Sequence, residues 1–196
     1  MSIATEIAKR DFVTAMGDSR HLTALHTRTG PGRRHHEPSL NRAVAVMTIA
    51  AWQSYAQDTT RAIRDHLAVP QGHAQRSLFD LIRASTHTAL GRFNTPSAHN
   101  TLNLFRLVGF DPRGSWTFTI STRPYAYSTQ NIVDEVEQWL RVRHSIAHGA
   151  PLPAVPVVRG RTAAGPKLWK TDAEHCIQFF GALVAATAAE AHTQFP

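Results

Sequence analysis

The sequence is organised around residues Arg141–Gly149, which read RVRHSIAHG and contain two arginines and two histidines. Upstream, Ser128 is a suitable N-cap, and apolar residues then recur at helical spacing, at Ile132, Val136, Trp139, Leu140 and Ile146. Gly149 suits the position that follows a helix, and Pro151 cannot continue one. The pattern therefore predicts an amphipathic helix that carries acidic residues near its start and ends at about His148.

The basic end of this helix is the candidate site. Histidine titrates near neutral pH, which suits proton transfer, and His144 and His148 share a face because they are four residues apart. Arg143 instead falls in line with Ile132 on the apolar stripe, where a guanidinium is costly unless it is paired or turned toward a charged ligand. On an ideal helix Arg143 points away from His148. The two converge only if the arginine reaches round, the last turn distorts, or a second subunit supplies one of them, whereas Arg141 aligns better with His148.

The motif from Arg143 to His148 is an arginine, four residues and a histidine, with a polar residue directly after the arginine. It resembles the signature of HEPN-domain proteins, which are small helical proteins and often metal-independent ribonucleases. It is most similar to the branch called RiboL-PSP-HEPN, and two other parts of the chain fit that branch: residues 40–44 with 52–55, and residues 93–96 with Asn100 and Gly109. The resemblance spans roughly residues 40–150. The branch often has an acidic residue before the helix tyrosine, and here Gln53 occupies that place.

This resemblance implies a bundle that dimerises about a two-fold axis and forms a composite site for cleaving RNA. In that reaction the 2′-hydroxyl attacks the adjacent phosphorus, one group takes its proton and another protonates the leaving oxygen. We assign His148 as general acid/base and Arg143 as the group that binds the phosphate and stabilises its developing charge. His144 would orient His148 or the phosphate, and Arg141 would be a secondary RNA contact. An antitoxin or a nucleotidyltransferase is the candidate protein partner.

Three alternatives to catalysis remain open at this point. A histidine at a helix end is often a plain C-terminal cap. A catalytically silent HEPN module would bind RNA or a protein partner without cutting, and Gln53 in place of an acid favours that interpretation. A basic helical regulator that binds DNA is the third alternative, although the sequence has no helix-turn-helix pattern.

Composition and charge are consistent with a globular protein that has an anionic partner. Of the 196 residues 42% are apolar and 18% charged, the formal net charge is +7, and arginine supplies 18 of the 21 basic residues. Arginine suits RNA phosphates, although a GC-rich genome gives the same bias. The single Cys176 excludes a disulfide within the chain. With no leader or membrane-spanning run in the sequence, we expect a cytoplasmic, single-domain protein over residues 1–196, without a metal or cofactor.

The remaining periodicity predicts an all-α fold, a HEPN-like bundle of five to six helices with irregular connectors at 110–127 and 150–170. Helices besides the motif helix are expected at about 2–25, 40–68, 73–90, 96–108 and 171–193. Trp52 and Tyr55 are expected to be core or dimer residues rather than platforms for bases.

Local signals predict where these helices begin, and which other residues contact RNA. The expected N-caps are Ser39, Thr95 and the capping box of Thr171 with Glu174, while Gly17 is expected to break the first helix. The connectors are expected to contain an extended segment at 116–120 and a brief pairing of Val155, Val157 and Val158. RNA contacts outside the motif helix are expected at Arg33 and Arg34 and at Asn94. The alternative for the two arginines is a solvated loop without a ligand, and the alternative for Asn94 is a role in capping a turn.

Overall fold

A computed structural model describes residues 3–25, 37–123 and 125–196. Within them the fold is helical, which confirms the all-α class, and its six α-helices are α1 (Ile3–Leu25), α2 (Glu37–His66), α3 (Arg76–Arg92), α4 (Ala98–Arg106), α5 (Thr129–Ala147) and α6 (Lys170–Gln194). A 3₁₀ helix (Pro112–Ser115) and a small antiparallel hairpin of β1 (Gly160–Thr162) and β2 (Gly165–Lys167) lie in the connectors. The predicted RNA contacts Arg33 and Arg34 lie outside the described residues. No helix of the described part combines the length and the apolar character that a membrane crossing requires.

Helix α2 is the centre of the bundle. It packs against five other helices, α1, α3, α4, α5 and α6. Trp52 and Tyr55 of α2 are 0% and 2% exposed, so both are core residues of this chain, as expected. A large apolar core joins α1, α2, α5 and α6, and a smaller one, around Phe105 and Phe110, fills the space between α2, α3, α4 and the end of α6.

Three local predictions about helices α1, α2 and α4 are wrong. Helix α2 begins at Glu37, so Ser39 lies inside it. Helix α4 is capped by Ser97, whose hydroxyl accepts the Asn100 N–H at 3.0 Å, and the expected cap Thr95 lies before it. Gly17 does not interrupt α1, which runs continuously from Ile3 to Leu25.

The start of α6 also differs from the expected capping box of Thr171 and Glu174. The helix begins at Lys170, because the buried Asp172 carboxylate accepts the backbone N–H of Trp169 at 2.9 Å. Asp172 also binds Arg159 Nε at 2.7 Å, so one carboxylate caps the helix and anchors the preceding connector.

The two connectors pack as irregular segments. Phe118 and Tyr127 form a single bridge, which agrees with the expected extended segment in the first connector. In the second connector the expected pairing of Val155, Val157 and Val158 is wrong. These valines are buried apolar residues, and the hairpin forms just after them.

A buried carboxylate joins α5, α6 and the first connector. Glu135 is 6% exposed and accepts hydrogen bonds from the Tyr127 hydroxyl at 2.8 Å and from Trp139 Nε1 at 3.4 Å. His175 Nε2 lies 2.6 Å from the same carboxylate, and its Nδ1 lies 2.7 Å from the Thr122 hydroxyl. Burial, together with the nearby Glu135 charge, raises the pKa of the Tyr127 phenol well above its ordinary value, so Tyr127 acts as a donor.

We predict that Glu135→Ala lowers the free energy of unfolding by about 3–5 kcal/mol, because it leaves buried donors of two other elements without an acceptor. Chemical denaturation followed by circular dichroism measures this loss. The matched control is Glu174→Ala on α6, which removes a half-exposed carboxylate 3.6 Å from Lys170 and should cost at most about 1 kcal/mol. An equally small loss in Glu135→Ala would contradict the role of this carboxylate.

The single cysteine provides a second test of the core. Cys176 is 0% exposed, and burial followed by the charge of Glu135 raises the pKa of its thiol well above the ordinary value. Because only the thiolate reacts, we predict that a disulfide reagent at pH 8 labels the native protein far more slowly than the protein in denaturant. Immediate stoichiometric labelling in native buffer would show that α6 is not packed as described.

Candidate functional site

Helix α5 begins and ends where the sequence predicts. The Ser128 hydroxyl accepts the Asn131 N–H at 3.3 Å, and the Asn131 side chain accepts the Ser128 N–H at 3.3 Å in return. At the other end His148 is the C-cap, its N–H donates to the His144 carbonyl at 3.0 Å, and Gly149 follows with a φ of +64°. The left-handed backbone at Gly149 is one that side-chain-bearing residues rarely adopt, so this glycine ends the helix.

The C-terminal end of α5 forms one wall of an open groove of about 290 Å³, which we call the histidine groove; it is lined by Asn94, Thr95, Leu140, Arg143, His144, Ala147 and His148. The rings of His144 and His148 are exposed and lie 4.3 Å apart between centroids. The half-exposed Arg143 lies in the same groove of the same chain, although it is five residues from His148. The cap geometry at His148, with φ −97° and ψ 6°, places that residue beyond the regular helix. Arg141 is exposed and lies outside the lining of the groove.

The opposite wall is residues 93–97, which we call the ridge, a non-helical segment between α3 and α4. Four of its carbonyls accept hydrogen bonds from side chains rather than from a helix or strand. The hydrogen bonds from side chain to backbone carbonyl run from Gln53 to Phe93 at 2.9 Å, from Arg143 to Asn94 at 3.4 Å, from Asn100 to Thr95 at 3.0 Å and from Trp52 to Pro96 at 3.2 Å. Because α2 and α5 both supply donors, the position of the ridge is tied to both helices.

Glu137 of α5 contacts the residue that directly follows the ridge. Its carboxylate accepts the backbone N–H of Ala98 at 3.2 Å, at the first residue of α4. The N-terminus of a helix has unpaired N–H groups and a partial positive charge, so an acceptor with a negative charge is favourable there. The sequence assigned Glu137 only to the start of α5, and its contact with α4 could not be inferred from that.

Gln53, which stands where the HEPN branch often has an acid, has a defined contact in this chain. Its side-chain N–H donates to the Phe93 carbonyl, a bond that a carboxylate cannot make. Gln57, one turn further along α2, donates to the Leu90 carbonyl at 3.3 Å. Across the described ranges, no carboxylate hydrogen-bonds to the ring of His148. Gln53 therefore positions the ridge and does not orient a histidine.

A second groove lies on the other side of the ridge, and we call it the asparagine groove. Its volume is about 310 Å³, and it is lined by Ala89, Arg92, Phe93, Asn94, Thr95, Asn100, Asn103, Leu104 and Leu107. Asn94 and Thr95 line both grooves, so the ridge separates them. Arg92 and Asn103 were not predicted from the sequence, because they lie on different helices and belong to no local motif.

A third, basic groove of about 610 Å³ lies between the end of α2 and α3. Three arginines and a histidine line it beside a single carboxylate: Arg64, Arg76, Arg83, His87 and Asp80. The spacing of Arg76, Arg83 and His87 on α3 was a usable signal, since residues seven and four apart share a helix face. The contribution of Arg64 from α2 was not predictable from that spacing.

The histidine groove offers one guanidinium and two imidazoles, groups that bind phosphate and transfer protons. No protein-family model, curated protein or solved structure matches the chain. Its chemistry is therefore argued from its own residues. Across residues 3–25, 37–123 and 125–196, no cluster of three His, Cys, Asp or Glu side chains is arranged to hold a metal ion.

We predict that Gln53→Glu lowers the free energy of unfolding by about 1–3 kcal/mol, because a carboxylate would face the Phe93 carbonyl without a donor between them. Thermal and chemical denaturation measure the loss. Gln75→Glu is the matched control, since Gln75 is exposed, makes no side-chain cap bond and stands at the start of α3, where an acid is tolerated. If Gln53→Glu were as stable as the control, Gln53 would not hold the ridge.

Proposed function

We propose that this protein is a metal-independent endoribonuclease of the HEPN type, which cleaves single-stranded RNA by attack of a 2′-hydroxyl on the adjacent phosphorus. The observation that carries the proposal is the presence of Arg143, His144 and His148 in one open groove. The motif that resembles the RiboL-PSP-HEPN signature supplies these three residues, and the net charge of +7 favours an RNA partner.

Each side chain has a role that its chemistry supports. The Arg143 guanidinium binds the phosphate and stabilises the negative charge that the phosphorus centre gains in the transition state. His148 transfers the proton, and His144, whose ring lies 4.3 Å away, orients His148 or the phosphate. In the free protein one guanidinium N–H donates to the Asn94 carbonyl at 3.4 Å, and the remaining N–H groups are left to form charge-assisted bonds with a phosphate oxygen.

A second copy of the chain supplies the other acid/base group in this proposal. The attacking and leaving oxygens stand on opposite sides of the phosphorus, so the base and the acid must do the same. Two imidazoles with centroids 4.3 Å apart are too close together to flank a phosphate in that way. Apposition of two histidine grooves about a two-fold axis places one His148 on each side of the bond.

A catalytically silent module that binds RNA or a protein partner is the second candidate. The specific observation in its favour is the neighbourhood of His148, where no carboxylate of the described residues orients the ring. An antitoxin, a nucleotidyltransferase, and a role in toxin–antitoxin function or phage defence in the cytoplasm belong to the proposal as its biological setting. Arg33, Arg34 and Arg141 remain predicted RNA contacts.

The direct test is cleavage of single-stranded RNA in EDTA by the wild type and three variants. We predict a rate loss of about 10²–10⁴-fold for His148→Ala, because proton transfer is lost, and about 10²–10³-fold for Arg143→Ala. Arg141→Ala should cost less than about tenfold, since rim charges contribute little. Denaturing gels of a labelled RNA measure the rates.

His192→Ala is the control, because His192 is an exposed histidine of α6 outside the histidine groove. Circular dichroism must show that every variant is folded. RNA binding without cleavage by the wild type would contradict the nuclease and favour the silent module. Unchanged cleavage in His148→Ala would contradict the assignment of the catalytic group.

Titration of wild-type protein with His148→Ala protein tests the composite site. If both chains must supply His148, only wild-type homodimers cut RNA, so activity falls with the square of the wild-type fraction after subunit exchange. The rate is measured across a series of mixing ratios at constant total protein. His192→Ala as the added chain should leave the total rate unchanged. A linear dependence on the wild-type fraction would show that each chain acts alone.

A further inference from the structure

The asparagine groove has an apolar wall and a polar rim. Phe93 and Leu104 are buried at 8% and 3% exposure, and Leu107 remains 36% exposed at the mouth of the groove. The side chains of Asn100 and Asn103 stand on the exposed face of α4 at the rim. This combination fits a planar ligand that has an apolar face and hydrogen-bonding edges.

The rim presents both a donor and an acceptor. The Asn94 side-chain oxygen lies 3.3 Å from the Thr95 hydroxyl, which leaves its N–H₂ group available as a donor. The Asn100 N–H₂ group donates to the Thr95 carbonyl, which leaves its oxygen available as an acceptor. Side-chain amides of this kind recognise the edges of nucleobases, which also present donors next to acceptors.

A cation completes the lining. Arg92, at the end of α3, is exposed in the groove and forms no ion pair with any of the described residues. A guanidinium at this position is suited to stack on a base held in the groove. The volume of about 310 Å³ lies at the lower end of the range for small-ligand sites, so the groove holds one nucleotide rather than several.

We propose that the asparagine groove binds the unpaired base of the nucleotide next to the phosphodiester held in the histidine groove. The two grooves are adjacent, because the ridge residues Asn94 and Thr95 line both of them. This inference rests on the proposed nuclease function. An RNA strand that crosses the ridge places its phosphate on the α5 side and its base on the α4 side. The groove then gives the enzyme a base preference at the cleavage site.

The test uses the four nucleoside 5′-monophosphates and ribose 5-phosphate as probes, with binding measured by calorimetry or nuclear magnetic resonance. Ribose 5-phosphate has the sugar and phosphate without a base, so the comparison isolates base recognition. We expect at least one nucleotide to bind about tenfold more tightly than ribose 5-phosphate, as a base stacked on an apolar wall does. Leu107→Asp should abolish that difference, because it places a charge in the apolar wall.

Leu81→Asp is the matched control, since Leu81 is 64% exposed on α3 and lines neither groove. Leu81→Asp and His148→Ala should both retain the tenfold difference. Asn94→Ala is a second variant that keeps the apolar wall, and it should reduce the difference because it removes the available amide donor. The proposal is overturned if ribose 5-phosphate binds as tightly as every nucleotide, or if the difference survives in Leu107→Asp.

Sequencing of the RNA products connects the groove to cleavage. Wild-type protein should show a base preference beside the cut, and Leu107→Asp should flatten that preference. Base binding that depends on Leu107 but occurs without any RNA cleavage would support base binding in the asparagine groove and contradict the proposed nuclease function. If Leu107→Asp cut RNA with the same base preference as the wild type, base binding in the asparagine groove would be contradicted and the proposed nuclease function would stand.

Discussion

Four backbone carbonyls of the ridge have no backbone N–H partner in any described helix or strand. Side chains must donate to them instead, and this requirement organises the surface around α5. The ridge residues Phe93 and Pro96 are buried and cannot leave their carbonyls unpaired without a cost of about 1–3 kcal/mol, and the exposed Asn94 carbonyl also takes a donor from the protein. Gln53 and Trp52 of α2 and Arg143 of α5 meet that need from two sides. The same contacts that satisfy the ridge fix the distance between it and the end of α5, and the histidine groove is the space that remains.

Arg143 shows why one residue can have a structural and a chemical role. Its helical position points along the apolar stripe, where an unpaired charge would be unfavourable. The side chain instead reaches the Asn94 carbonyl at the rim and leaves most of the guanidinium's donors for a ligand. His148 is the C-cap of α5, and it lines the same groove as Arg143.

Sequence reasoning succeeded where the signal is local. Ser128 and Gly149 define both ends of α5, because caps act within a few residues of the helix end. It failed where the partner is distant along the chain. Glu135 was predicted to be a charge near a helix start, yet it is buried and contacts His175, a partner forty residues away. The bonds that Gln53, Trp52 and Arg143 donate to the ridge join residues 40 to 49 positions apart and have no local pattern either.

In the proposed reaction the histidine groove promotes attack by an RNA 2′-hydroxyl on the adjacent phosphorus. The most direct measurement is cleavage of an RNA oligonucleotide that carries a single 2′-deoxynucleotide at a mapped cleavage position, with the product ends identified by mass spectrometry. We predict that this one bond resists cleavage while neighbouring bonds are cut to 2′,3′-cyclic phosphate ends. Cleavage at the deoxynucleotide, or products that end in a 3′-hydroxyl, would contradict it.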